Sequence, residues 1–314
     1  METKVLIGKS IDFHKLNKLL IASFISEDDT DLQIQEKSKA MSEQYLKHKY
    51  CDGIREGKLA VVIEHDEYIA CNGMLFIPLH GPDSTSDGWM SCDTATDPNF
   101  RGKGLFRACI SALEAELTDD CIFFGYPNAV SSKSFTKLGW EKKHSYSLQI
   151  RLVTPMFDKE LATCVNSFYI PMPKSSSDSG VVKTNEYLNW RYHETRAEYF
   201  KCTSVNNTFA FVARRLVIHK IPVMLLLEDF ANSPESYIDS RRAINYLAWK
   251  QRCMFIAFSP GIAVSKKPLS QLEFEVPTRL SGRPIELMGK SLGAKSGKIW
   301  NSVWNTSLGD WDAF

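Results

Sequence analysis

The spacing of apolar residues changes period repeatedly along the first 150 residues, and each change predicts an element. Residues 4–7 form a short apolar strand, and residues 12–24 and about 35–49 carry helical periodicity. Residues 59–64 and 68–76 are two β-type runs around His65-Asp66-Glu67, which predicts a hairpin. A strand follows at 89–96, then the turn signal Asp97-Pro98-Asn99. From 105 to 117 the pattern is helical again. Leu105, Cys109 and Leu113 share one stripe, with Phe106, Ile110, Leu113 and Leu117 beside it. Residues 121–125 form a short apolar strand, 130–138 a helix and 145–152 a strand. Helices, then antiparallel strands, then a strand–helix–strand–helix run is an α/β (α+β) order.

Around 171–180 the chain turns to Pro, Ser, Asp and Gly, the composition of a flexible loop. Beyond it the pattern restarts with a helix at about 185–194 and a hairpin, 208–217 with 221–228. A helix at about 234–252 and a strand at 254–258 complete it. The polar stretch Gly81–Gly88 is expected to be a turn without further chemistry. This organisation predicts a first domain over 1–152, a linker over 153–184 and a second domain over 185–314.

Composition narrows the function classes. A chain of 314 residues suits two domains of ordinary size. The formal net charge is +1, which argues against general binding to nucleic acid or an anionic membrane, since both need a basic excess. The eight cysteines, at 51, 71, 92, 109, 121, 164, 202 and 253, never form C-x-x-C, and several sit in apolar runs. That predicts reduced core residues and no metal site. The N-terminus lacks a charged-then-apolar leader and no apolar run reaches membrane-spanning length, so the cytoplasm is the expected compartment.

The candidate chemistry begins at Arg101-Gly102-Lys103-Gly104-Leu105-Phe106, between the strand ending at Thr96 and the helix from Leu105. A glycine turn opening a helix aims several backbone N–H groups and the positive helix end at one point, which suits a phosphate. Neither Gly8-Lys9-Ser10 nor Gly289-Lys290-Ser291 completes a P-loop, because Thr3 and Pro284 stand where its first glycine belongs. The dinucleotide pattern fails too, with Arg107 in place of the third glycine.

The loop, the turn Thr96–Arg101 before it, and Asn128 with Gly139-Trp140 eleven and twelve residues later together resemble the GNAT superfamily of N-acetyltransferases. The resemblance implies acetyl-CoA as co-substrate and no metal. Backbone amides of 102–106 would hold the pyrophosphate, with Arg101 and Lys103 adding charge. The edge of Thr94, Ala95 and Thr96 would pair with the pantetheine, and Asn128 would touch its far arm; a helix N-cap is the other reading of Asn128. It also implies tandem GNAT-like halves, each a mixed, mostly antiparallel sheet flanked by helices, the second without a cofactor loop. An unrelated α+β substrate domain is the competing reading of that half.

The family often places a tyrosine acid seven residues after the asparagine, where this chain has Phe135. Another group then protonates the thiolate, or none is needed, or transfer has been lost. Asp93, Tyr126 and the Phe314 carboxylate, with Asp310 or Asp312 beside it, are the catalytic candidates; His144 and His193 are generic ones. Trp190-Arg191-Tyr192 and Gly309-Asp310-Trp311-Asp312 resemble segments of two-part GNAT-like proteins of surface-polysaccharide pathways, which implies an amino-sugar acceptor. Ordinary packing by Trp190 and a surface Arg191 is the competing explanation. The expectation is an N-acyltransferase acting on a small-molecule amine, with no nucleic-acid or membrane partner and an oligomeric state left open. A non-catalytic acyl-CoA-binding protein is the runner-up. A ligase using aminoacyl-tRNA fits less well, since that kind generally dispenses with the CoA loop.

Overall fold

The computed structural model describes residues 1–117, 119–146, 148–155, 161–165, 170, 178–218, 220–231, 233–259, 273–275 and 285–311. Strand β1 (Glu2–Ile7) is followed by three helices, α1 (Phe13–Phe24), α2 (Asp31–Ala40) and α3 (Glu43–Cys51). The single helix expected at about 35–49 is therefore two. Thr30 and Gln33 form a capping box at the start of α2, and Ser42 caps α3 by accepting from the Tyr45 amide, so the chain is punctuated at 41–42.

Strands β2 (Lys58–Glu64), β3 (Glu67–His80) and β4 (Thr85–Thr96) form an antiparallel meander. Half of the polar stretch at 81–88 is strand: His80 pairs with Thr85 and 81–84 turn, closed by the Gly81 amide on the Ser84 carbonyl at 2.7 Å. Helix α4 (Leu105–Glu116) crosses back to β5 (Cys121–Gly125), which runs parallel to β4. Helix α5 (Ala129–Lys137) and β6 (Glu141–Tyr146) follow. The predicted strand at 145–152 is also split, because β7 (Gln149–Leu152) joins a different sheet.

The first sheet is ordered β1-β2-β3-β4-β5-β15-β6, where β15 (Ile285–Ser291) returns from far along the chain to pair antiparallel with β5. Helix α8 (Ala294–Asn301) follows it, and Asp120 caps it by accepting from the Lys295 and Ser296 amides at 3.1 and 2.9 Å. The core beneath α4 gathers Met74, Phe76, Trp89, Ile110, Leu113 and Phe123 around Trp140.

The second sheet is ordered β14-β7-β13-β12-β11-β10-β8. Its strands are β8 (Ala162–Cys164), β10 (Phe200–Ser204), β11 (Phe209–Ile218), β12 (Ile221–Ala231), β13 (Phe255–Phe258) and β14 (Glu273–Glu275). β9 (Gly180–Val181), α6 (Asn185–Arg191) and α7 (Pro234–Lys250) complete the elements. As in the first sheet, a hairpin (β11–β12), a crossover helix (α7) and a parallel strand (β13) follow in order. Both sheets are mixed, mostly antiparallel and flanked by helices, as the sequence predicts.

The compact units are not contiguous halves. One comprises 1–142, 190–197 and 288–302, the other 143–189, 198–287 and 303–314. The chain thus crosses between units several times, because β7 and β15 each join the sheet of the other stretch. The described residues of the 153–184 stretch include β8 and β9.

The C-terminal segment docks within the second unit. Leu308 and Trp311 are buried, and Lys183 donates to Glu228 at 2.8 Å, to Ser307 at 3.1 Å and to Asp310. Burial alone would lower the Lys183 pKa, but Asp310 and Glu228 outweigh it and hold the ammonium above its ordinary value. Replacing Asp310 by Asn should cost about 3–5 kcal/mol, the price of one broken buried pair. Urea unfolding of wild type and variant measures it. Because the folded Lys183 pKa is raised, the contribution should hold from neutral pH to about pH 10 and fade only above that.

Candidate functional site

The site starts from an irregularity in β4. Cys71 pairs with Ala95 and Gly73 with Cys92, so Asp93 and Thr94 together face the single residue Asn72. This is a β-bulge, and Asp93 takes a left-handed conformation in it, with φ of 45°. Such a conformation costs a non-glycine residue about 1–3 kcal/mol unless its surroundings impose it.

Here they do. Helix α3 presents Lys49 and Tyr50, both buried. The Lys49 ammonium meets the Asp93 carboxylate at 2.9 Å, and the Tyr50 hydroxyl donates to its second oxygen at 2.8 Å. The Cys71 thiol donates to the Asp93 carbonyl at 3.1 Å. Burial, and then the Asp93 charge, push the Tyr50 pKa well up, so this hydroxyl stays a donor. Tyr50 reaches Asp93 by lying against Gly73, where any Cβ would collide with its hydroxyl. Asn72, fully buried, donates to both Ser91 and Thr94 across the bulge. Sequence reasoning missed Lys49, Tyr50, Asn72 and Gly73; the combination of Lys49-Tyr50 on a helix with an isolated Asp93 was the available signal.

Beside the bulge β4 and β5 part company. Their parallel pairing runs from Asp87–Cys121 to Met90–Phe124, while β4 continues through Ala95 and Thr96. Beyond Thr96 a single turn, with Asp97 accepting from the Asn99 amide, delivers the chain to the glycine loop. Gly102 and Gly104 are left-handed, with φ of 79° and 77°, and Gly104 is the N-cap of α4. A Cβ built on either meets nothing within 4 Å, so the loop presents bare backbone to open space. The first amides of α4 have no intrahelical acceptor, the ordinary condition of a helix start. Arg101 and Lys103 are exposed; Arg101 donates to the Thr96 carbonyl at 3.4 Å and the Lys103 ammonium lies 4.6 Å from the Phe100 ring centre. Leu105 and Phe106 turn their side chains into the core, so only their backbone faces outward. These features fit a pyrophosphate group.

Asn128 is the N-cap of α5, its oxygen accepting from the Val130 and Ser131 amides at 3.0 and 2.9 Å. Phe135 is 3% exposed and packed edge-on against Phe106 at 5.0 Å and against Trp140 at 4.3 Å. The position where the resembled family often has a tyrosine therefore turns its side chain into the core here. Trp140 is itself buried and donates to Glu114 at 3.1 Å, after Gly139 turns the chain at φ of 81°. Tyr126, directly after β5, is half-buried.

The remaining described candidates engage other partners. His193 stacks on His48 at 4.2 Å, and His48 lies 3.0 Å from both Asp52 and the Trp190 carbonyl. Trp190, Arg191 and Tyr192 are all buried, which corrects the expectation of a surface Arg191. His144 lies 4.4 Å from Tyr146. Asp310 is committed to Lys183, while Asp312 and Phe314 lie outside the described residues. Among the described residues no group of three His, Cys, Asp or Glu side chains could hold a metal, and no helix is long and apolar enough to cross a membrane.

The second sheet has a corresponding crossover with different chemistry. β12 and β13 pair from Val223–Phe255 to Leu225–Ala257, and α7 opens with Ser233, Pro234 and Glu235 in place of glycines. The Glu235 carboxylate accepts from its own helix start, which lowers its pKa and sets a negative charge where a phosphate would need amides. Arg151, Asp229, Tyr237 and Arg241, with Leu226 and Ile256, line a cavity of about 20 Å³, room for one water. Ser240 donates to Asp229 at 2.6 Å, yet burial pushes the Asp229 pKa up to about 6. The folded chain thus binds this proton more tightly than the unfolded chain does. Stability from Asp229 is fully present below about pH 4 and lost as pH rises through about 6. Asp229→Asn should remove that loss, so the stability difference between variant and wild type should grow from pH 4 to pH 7 in urea unfolding.

No protein-family model and no curated protein matches the chain. Solved structures do. A GCN5-related N-acetyltransferase from Anabaena variabilis superposes with a TM-score of 0.62 at 10% identity, covering 93% of this chain and 73% of that one. Eis1 from Mycobacterium abscessus gives 0.54 at 12% identity, covering 93% and 74%. The N-myristoyltransferase of Saccharomyces cerevisiae, solved with bound myristoyl-CoA, gives 0.50 at 9% identity, covering 82% and 72%. The chain has the fold of the GCN5-related N-acetyltransferases.

Proposed function

We propose that this protein transfers an acyl group from acyl-CoA, acetyl-CoA in the first instance, to the primary amine of a small molecule in the cytoplasm. The supporting observation is a conjunction: two left-handed glycines open α4 at the end of a bulged strand whose pairing to β5 has just stopped. Backbone amides of 102–106 would hold the pyrophosphate, with Arg101 and Lys103 at its margin. The edge of Thr94, Ala95 and Thr96 would take the pantetheine, and Asn128, beyond capping α5, its far arm. The bound thioester supplies an activated acyl carbon.

In this reading Asp93 is a positioning residue and not a free base, because Lys49 and Tyr50 engage both its oxygens. Together they hold the bulge that shapes the reacting end of the cleft. An acceptor amine with a pKa near about 8 is partly neutral at pH 7 and needs no strong base. A thiol is a good leaving group, so a side-chain acid adds little; Tyr126 is the one proposed to contribute. The acceptor class we propose is an amino sugar or nucleotide-linked amino sugar. Burial of Trp190 and Tyr192 leaves that choice on the sequence resemblance alone. The engagement of Asp93 by Lys49 and of Asp310 by Lys183 favours the second reading, an acyl-CoA-binding protein without transfer activity.

Two measurements separate these. Gly104→Val should reduce acetyl-CoA affinity at least about tenfold by calorimetry, since the side chain fills the approach to the amides. Unchanged affinity would remove the binding site altogether. Release of CoA in the presence of amino sugars then distinguishes transferase from binder. With activity in hand, Asp93→Asn should lower kcat without moving the pH profile, whereas loss of the acidic limb would make Asp93 the base.

A further inference from the structure

We propose that Cys164 and Cys202 form a reversible disulfide that fastens the outermost strand of the second sheet. β8 is the terminal strand of that sheet and holds to β10 through three antiparallel pairs: Ala162 with Ser204, Thr163 with Thr203 and Cys164 with Cys202. The Val165 amide donates to the Lys201 carbonyl at 2.7 Å, which makes 165 and 201 a hydrogen-bonded pair. The alternation of an antiparallel ladder then makes 164 and 202 a non-hydrogen-bonded pair, with Cα atoms about 4.5 Å apart and side chains on one face. That spacing lies inside the range of about 4.4–6.8 Å that a disulfide spans without backbone movement. The two sulfurs already lie 2.6 Å apart.

The pair is also unequal in a useful way. Cys164 is exposed and Cys202 is buried. An oxidant such as hydrogen peroxide meets the Cys164 thiolate, whose sulfur attacks one peroxide oxygen. The O–O bond breaks, water leaves after protonation, and Cys164 becomes a sulfenic acid. The Cys202 sulfur then attacks the Cys164 sulfur, an S–S bond forms, the S–O bond breaks and a second water leaves. The sum is two thiols and one peroxide giving one disulfide and two waters. Reduced glutathione reverses it by thiol–disulfide exchange. Other cysteines are poorly placed for this chemistry: burial pushes Cys109 and Cys121 up to about 12 and keeps their thiols protonated. A three-residue edge strand is weakly held by its ladder alone, so a covalent bond there decides whether β8 stays paired.

The test treats the full chain with a few equivalents of hydrogen peroxide, blocks the remaining thiols with iodoacetamide and maps the digest by mass spectrometry. The expected result is a peptide pair joining Cys164 to Cys202, reversed by reduced glutathione, with slower hydrogen exchange at Val165 in the oxidised form. In Cys202→Ser, Cys164 should stop at a sulfenic acid that dimedone traps. Cys164 accumulating as sulfenic acid in wild type without the cross-link would overturn the proposal. So would a cross-link that forms as fast in urea as in buffer, since the folded ladder would then contribute nothing. The chemistry is independent of acyl-CoA, so failure of the transferase reading leaves this result standing.

Discussion

The geometry of the candidate site depends on a left-handed aspartate inside a β-strand. Asp93 has no reason of its own to adopt that conformation, and Lys49, Tyr50 and the Cys71 thiol hold it there. The consequence runs outward. The bulge shifts the register of β4 against β3, which resumes with Cys71–Ala95 and Ala70–Thr96, while β5 has already left β4, so the strand reaches the glycine loop with its β5 side unpaired by that strand. Gly73 belongs to the same constraint, because Tyr50 occupies the space a side chain would need. A strained residue, a buried ion pair and a glycine on the facing strand thus form one device.

The two sheets repeat one plan and differ where chemistry would occur. Both have a hairpin, a crossover helix and a parallel strand. The helix start in the first is bare left-handed glycine, whereas in the second Ser233 caps the helix by accepting from the Ser236 amide and the Glu235 carboxylate accepts from its own amide. Arg151, Asp229, Tyr237 and Arg241 line a cavity with room for only one water. A phosphate at the second helix start would be repelled by the Glu235 charge. The second sheet is built on the same topology, with a negative charge at the helix start where the first has bare glycine.

What was legible in the sequence was local. The loop at 101–106, the helix beginning at Leu105 and the hairpins declare themselves through glycine placement and apolar period, which act over a few residues. Asn128 as a cap is equally local. The insertion of β15 beside β5 was not legible, because Ile285–Ser291 is short, mixed in character and paired with a strand far back in the chain. The same holds for Lys183 with Asp310, where neither partner hints at the other. Phe135 shows the converse: the family's tyrosine position falls on this residue by spacing, while packing against Phe106 and Trp140 decides which way the side chain faces.

Hydrogen exchange with and without acetyl-CoA bears most directly on the central claim, that the bulge and the glycine loop form one ligand-binding device. The account predicts protection of the amides from Thr94 to Thr96 and from Gly102 to Phe106 together, with none at Glu235 to Tyr237 in the second unit. Protection confined to the second unit, or absent from the 94–106 segment at saturating ligand, would contradict it.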